Sequence, residues 1–218
     1  SRIVTPPDHP KIYHITHVDN LVQITGAGLI WSDARRIECG VDCQVIGMSE
    51  IKRRRLEELP VSCHSGTRVG EYVPFYFCPR SIMLYILYMG NHPDISYRRG
   101  QNSIVHLQVD LLDTVAWAQA HDVRWTFSNV NAGTRYAEFF SDVADLDQIN
   151  WDAVGQTVFR DPVIKDGKQA EFLVFESFPW HLVEKVGVID AAIADKVRQA
   201  ISNTTHQPIV NIERTWYF

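Results

Sequence analysis

The stretch DGKQAEFLVFE, residues 166–176, constrains the fold of this chain more than any other. Four apolar residues in a row, Phe172-Leu173-Val174-Phe175, follow directly on an acid, Glu171. A run this short and this apolar, bounded by polar residues, reads as a strand buried inside a core. The chain must therefore build a sheet and cover it. A carboxylate at the mouth of such a strand carries a desolvation cost that a partner or a chemical task has to offset. Gln169 stands two residues earlier, so an extended backbone would put both side chains on one face.

The rest of the chain interleaves strand and helix patterns without a repeat, which argues for an α+β fold and, at 218 residues, a single domain over 1–218. KIYHIT, EYVPFYF, SIVHLQVD, DVRWTF, AEFLVF, EKVGVID and PIVNIERTWYF read as strands. DNLVQITGAGL reads as a helix opened by Asp19 or Asn20 and ended near Gly26 to Gly28. EIKRRRLEEL reads as a short basic helix capped by Ser49 and stopped by Pro60. PRSIMLYILYMG reads as a helix with Pro79 at its first position and Gly90 past its end, and AAIADKVRQAIS as a late helix. Two stretches, 32–48 and Phe159–Lys168, read as long polar loops, and such loops in a compact domain tend to serve function.

A formal net charge of -5 excludes a uniformly basic surface, so a nucleic acid partner would have to meet a local patch. The longest apolar run, Ile82 to Met89, falls well short of the roughly 20 residues that span a bilayer, and no membrane segment is expected. Four cysteines, Cys39, Cys43, Cys63 and Cys78, accompany an opening of prolines and charge rather than an apolar leader, which reads as reduced thiols in a cytoplasm. Cys39 and Cys43 with Cys63-His64 match no strong zinc signature, so no metal is expected.

Two segments carry candidate chemistry. In YHITHVDNLVQITGAGL, His14 and Thr16 share a strand face, whereas His14 and His17 face opposite sides and cannot pair on a metal. In IKRRR, residues 51–55, helical spacing turns at least one arginine inward while Arg53 points elsewhere; the plain alternative is a solvated charged face. YVPFYFCPRSIMLY, read alone, is a strand, turn and helix in a core.

Together these segments resemble the ADP-ribosyltransferase fold of the poly-ADP-ribose polymerase type. In IYHITHVDNL, YVPFYFCPRS, LDQINW and QAEFLVF the chain is similar, almost letter for letter, to the DarT family of bacterial DNA ADP-ribosyltransferase toxins, from about residue 11 to the final WYF. The resemblance implies a split central β-sheet around an NAD cleft with flanking helices. It implies that His14, Ile15, Thr16 and Asn20 bind NAD, with Ile24, Gly28 and Leu29 at matching spacings. It further implies that Tyr72, Tyr76, Ser81 and Gln169 contribute to the same site, with Tyr85 one residue off the usual spacing. Glu171 is implied to hold the nicotinamide ribose, and Arg55, at the end of the I-x-x-R-R run, to clamp the diphosphate or polarise the target base.

The same resemblance makes NAD a substrate and single-stranded DNA the acceptor, with thymine or guanine modified and a DarG-like macrodomain antitoxin as natural partner. Arg54, Arg80, Met83 and Asn131 are then implied to meet DNA, with Arg98 and Arg99 available to its backbone. At Asn131 many family members carry histidine, so this chain keeps a hydrogen-bonding group there and loses a proton shuttle. An unpaired acceptor makes sense because a base inside a duplex must first be unstacked. RNA or protein as acceptor, or a nucleic acid binding module without turnover, are the alternative functions.

Overall fold

The computed structural model describes residues 5–218; residues 1–4, where the expected domain begins, lie outside the described residues. Among the described residues ten strands form: β1 Lys11–His17, β2 Leu29–Trp31, β3 Tyr72–Tyr76, β4 Ile104–Asp110, β5 Trp125–Ser128, β6 Phe139–Phe140, β7 Glu171–Phe175, β8 Ser177–Pro179, β9 Val183–Val188 and β10 Ile209–Ile212. Eight α-helices accompany them: α1 Leu21–Ala27, α2 Asp33–Glu38, α3 Ser49–Glu57, α4 Ile82–Met89, α5 Leu111–Ala120, α6 Trp151–Gly155, α7 Pro162–Lys168 and α8 Ala191–Ala200. Eight strands make one sheet in the order β10-β9-β4-β1-β3-β7-β5-β6, and β2 pairs with β8 in a separate ribbon. All pairings are antiparallel except β9 with β10, which is the α+β arrangement expected.

The sheet is split in a specific way. β1 pairs with β4 along its whole length and β3 with β7 along its whole length, but β1 and β3 meet at one residue pair, Tyr13 opposite Tyr76. Beyond that pair the two half-sheets part, and the space between them is open to side chains from both. β7, the strand that opened the sequence argument, is buried through Val174, and Phe172 stacks on Trp125 of β5 at 5.6 Å. Burying each such phenylalanine contributes about 2–3 kcal/mol, which fixes β7 between its neighbours and with it the position of Glu171.

Several local expectations shift. Ser49 is the first residue of α3, not its cap; Met48 takes the cap position. Pro79 lies outside α4, whose cap is Ser81, its Oγ accepting the N–H of Leu84 at 3.2 Å. Gly28 and Gly90 end α1 and α4 in the left-handed conformation, as their sequence positions suggested. The two expected loops each contain a helix. Ser32 caps α2, and Asp161 caps α7 with Pro162 at its first turn. Among the described residues no helix is long and apolar enough to cross a membrane.

Candidate active site

The cleft between the half-sheets has a volume of about 440 Å³, within the range of small-molecule sites. Strand alternation decides what faces it. His14 and Thr16 of β1 line it, and so do Tyr72, Pro74 and Tyr76 of β3, each set two residues apart. Ile15 reaches the same cleft. Glu171 comes from the mouth of β7, Arg55 and Lys52 from α3, Asp33 and Arg36 from α2, and Val41 to Met48 form one wall.

Glu171 is only 3% exposed and fully partnered. Its Oε1 accepts Arg55 Nη2 at 2.8 Å, and its Oε2 accepts Arg55 Nη1 at 3.2 Å and the backbone N–H of Ala132 at 2.9 Å. Its own N–H donates to Ser128 Oγ at 3.2 Å. This fork of two parallel N–H donors is the geometry in which arginine exceeds lysine. Burial works to lower the Arg55 pKa, but the adjacent Glu171 carboxylate outweighs it and holds the guanidinium charged. Tyr76, opposite Glu171 in the β3–β7 register, has its phenol pKa pushed up by burial and by that carboxylate, so it keeps its proton.

His14 bridges the split. Its Nδ1 lies 2.8 Å from the Pro74 carbonyl. A carbonyl can only accept, so Nδ1 carries the proton and Nε2 of the neutral ring is an acceptor. Burial lowers the His14 pKa below its ordinary value, and the Pro74 contact offsets this in part. Asn20 does not cap α1. Its amide nitrogen donates to Thr16 Oγ1 at 3.0 Å and to the Gln44 carbonyl at 3.1 Å, and its oxygen accepts Gln44 N–H at 2.8 Å, which ties the 41–48 wall to β1.

Gln169 reaches the cleft by another route than the strand alternation suggested. It ends α7 rather than lying in β7, and its Oε1 accepts Asn131 Nδ2 at 3.1 Å while its Nε2 donates to Lys165 O at 3.1 Å. Asn131 Oδ1 accepts Gly133 N–H at 2.7 Å. Met83 also lines the cleft. Three expected site residues do not. Ser81 is fully buried with its hydroxyl capping α4. Arg80 donates to Tyr217 O at 3.0 Å and lies over the Phe218 ring. Arg54 lines a smaller neighbouring groove beside Glu58. Cys63 donates to Thr126 Oγ1 and His64 meets Trp125 O, and among the described residues no group of three potential ligands could hold a metal.

Sequence reasoning missed Asp33, Arg36 and Lys52 as cleft residues. The helix-start signal at Ser32 was the clue available for Asp33, since it turns WSDARR from loop into α2.

A sheet parted around a cleft, with a strand-borne glutamate held by arginine at its floor, defines the ADP-ribosyltransferase class. Superposition supports this: Thermus sp. 2.9 DarT in complex with ADP-ribosylated ssDNA matches with a TM-score of 0.90 at 31% identity, over 100% of both chains. The same organism's DarT in complex with NAD+ matches with a TM-score of 0.81 at 30% identity, over 98% of this chain and 100% of that one. The chain belongs to the DarT family: the family model described as ssDNA thymidine ADP-ribosyltransferase, DarT, matches residues 13–218. A DNA ADP-ribosyl transferase of Thermus sp. (strain 2.9) is 33% identical over 220 residues, 98% of this chain and 99% of the relative.

Proposed function

We propose that this protein transfers ADP-ribose from NAD+ to a base of single-stranded DNA, with thymine, the base named in the family's description, as acceptor. The observation that carries the reading is the Arg55–Glu171 fork at the floor of the cleft, in a chain of this family. The donor set suits a dinucleotide: His14 Nε2 and Thr16 Oγ1 for ribose hydroxyls, Tyr76 for the flat nicotinamide face, and Ile15 and Asn20 holding β1 and its wall in place. Tyr72, also expected there, is buried with its hydroxyl on Thr67 Oγ1 and supports the wall instead. Ser81 is left out of this set because it is fully buried and does not line the cleft.

In the reaction the bond between nicotinamide nitrogen and ribose carbon breaks, its electron pair leaving with nicotinamide. Glu171 faces the positive charge that develops on that carbon, and Arg55 with the Ala132 N–H keeps the carboxylate aimed, so no reorganisation is needed as the charge forms. A ring nitrogen of the base supplies the new bond and gives up its proton to water. Asn131 and Gln169, hydrogen-bonded to one another, present amide groups to the base edge, and Met83 packs against it. Arg54 and Arg80, outside the cleft, are left for the DNA backbone. The protein acts in the cytoplasm, where a DNA acceptor is found, and a DarG-like macrodomain that removes the mark is its partner.

Incubation with labelled NAD+ and single-stranded oligonucleotides tests the reading, with mass analysis of the modified base. Label on the oligonucleotide supports it. Label confined to RNA or to protein, or NAD+ binding without nicotinamide release, refutes it. Co-expression with a macrodomain partner, scored by growth, tests the partner.

A further inference from the structure

The assignments above leave the diphosphate of the donor without a partner. Five charged side chains line the cleft: Asp33, Arg36, Lys52, Arg55 and Glu171. Arg55, for which the family resemblance suggested a clamp on the diphosphate, gives both terminal nitrogens to Glu171. The remaining cations are Lys52 and Arg36. Lys52 rises from α3 one turn before Arg55, on the same side of the helix. Its Nζ meets Asp33 Oδ2 at 2.6 Å, with 30% and 31% of the two side chains still exposed. Its stem crosses Gly47, where a Cβ would meet Lys52 Cε, so the lysine lies directly along the wall of the cleft.

Arg36 lies one turn along α2 from Asp33. Its Nη1 donates to Val41 O at 3.2 Å, and its Nε has no hydrogen-bond partner, 3.9 Å from Asp33 Oδ1. A guanidinium has five N–H donors, and most of these are uncommitted among the described residues.

We propose that Lys52 and Arg36 hold the diphosphate of the dinucleotide donor, and that Asp33 takes its place in the free protein, occupying Lys52 until the ligand displaces it. The assignment rests on the donor reading given above. One carboxylate faces two cations here, and once Asp33 is displaced the two cations match the two charges of a diphosphate. The Arg55–Glu171 pair is dry and forked, so it does not exchange. The Asp33–Lys52 pair has one short contact, with 31% and 30% of the two side chains open to solvent. Although Lys52 outweighs burial and holds the Asp33 carboxyl below its ordinary pKa, the pair is far less desolvated than Arg55–Glu171 and can exchange. Exchanging it for a diphosphate, which offers more oxygens to charge-assisted donors, is favourable. Asp33, once released, still opposes the bound anion and keeps the site from holding its ligand too tightly.

That last point gives the two partners opposite signs in an experiment. ADP and adenosine are titrated calorimetrically into the full chain and into Lys52→Ala, Arg36→Ala and Asp33→Asn, with melting temperatures recorded for each. Lys52→Ala and Arg36→Ala are each expected to weaken ADP by ~10-fold or more and adenosine by less than ~2-fold. Asp33→Asn is expected to tighten ADP. ADP and adenosine weakening in parallel in Lys52→Ala, or Asp33→Asn weakening ADP, would make the pair a structural strut and overturn the assignment. So would a wild-type protein that binds ADP no better than adenosine. The donor reading fails separately, if wild-type protein with DNA releases no nicotinamide from NAD+; an active wild type whose variants keep the ADP to adenosine ratio sinks only the diphosphate assignment.

Discussion

Arg53 and Arg55 stand two residues apart on α3, and the outward one has more ionic partners. Arg53 reaches Glu50, Glu57 and Glu58 at 2.6, 2.8 and 3.0 Å, whereas Arg55 has Glu171 alone at 2.8 Å. The difference lies in what surrounds them. Arg53 is 42% exposed and its acids more so, while the Arg55 and Glu171 side chains are 15% and 3% exposed. Water screens the first cluster and leaves it with little net effect. In the second, each charge depends on the other, because removing one leaves the other buried and unpaired. The number of contacts on a helix face therefore says less about its role than the medium in which they are made.

The comparison can be broken most directly at Glu171. Glu171→Gln keeps the shape and removes the charge; DNA labelling is expected to fall by at least ~10³-fold, with stability reduced by about 3–5 kcal/mol in urea melts as Arg55 loses its partner. A variant that retains more than a tenth of wild-type transfer would refute the central role given to the inner face. Arg55→Lys comes next, since an ammonium keeps the charge but cannot make the fork. A loss of ~10²-fold in kcat at nearly unchanged melting temperature is expected, and equal activity would show that charge alone suffices.

Acid pH sharpens the same contrast on a smaller scale. His14 is held neutral by burial, so its acceptor nitrogen persists as pH falls past the ordinary histidine value of 6.5 and is lost only below it. KM for NAD+ is expected to stay flat from pH 8 to 6.5 and to rise only at lower pH. A midpoint above 6.5 would mean that the imidazole is not held as described. Smallest of all is Arg53→Ala, expected to change transfer by less than ~2-fold and the melting temperature by ~1 °C. A large loss there would erase the distinction between the two faces.

Much of this was legible in the amino-acid order, for reasons that differ by element. β7 announces itself because a strand buried on both sides is apolar at almost every position, and β4 because the β-branched and apolar Ile104, Val105, Leu107 and Val109 mark it despite His106 and Gln108 between them. α2 and α7 were hidden because α2 buries none of its residues and α7 only Gly167 and Lys168, so neither carries an apolar period; their caps, Ser32 and Asp161, were the only local signal. α5, LLDTVAWAQA, went unread although Asp110 caps it, because it follows β4 without a break. Within the cleft, Glu171 and Arg55 were found through family resemblance, and helical spacing separated Arg55 from Arg53. Asp33 and Lys52 escaped because their pairing joins two helices across 19 positions of chain, a contact no short motif encodes. Ser81 illustrates the opposite ambiguity: a serine before an apolar helix is as good a cap as it is a ligand, and here it caps α4 and lies buried away from the cleft lining.

The single rung joining Tyr13 to Tyr76 has a further meaning for how such a protein can diversify. A continuous ladder would couple every change in one flank to the other through backbone geometry. Here each flank keeps its own register, with the imidazole of His14 on Pro74 among the few polar ties across the seam. A change of packing within one flank can therefore be absorbed without shifting the register of the other, so the two walls of the cleft are free to vary independently.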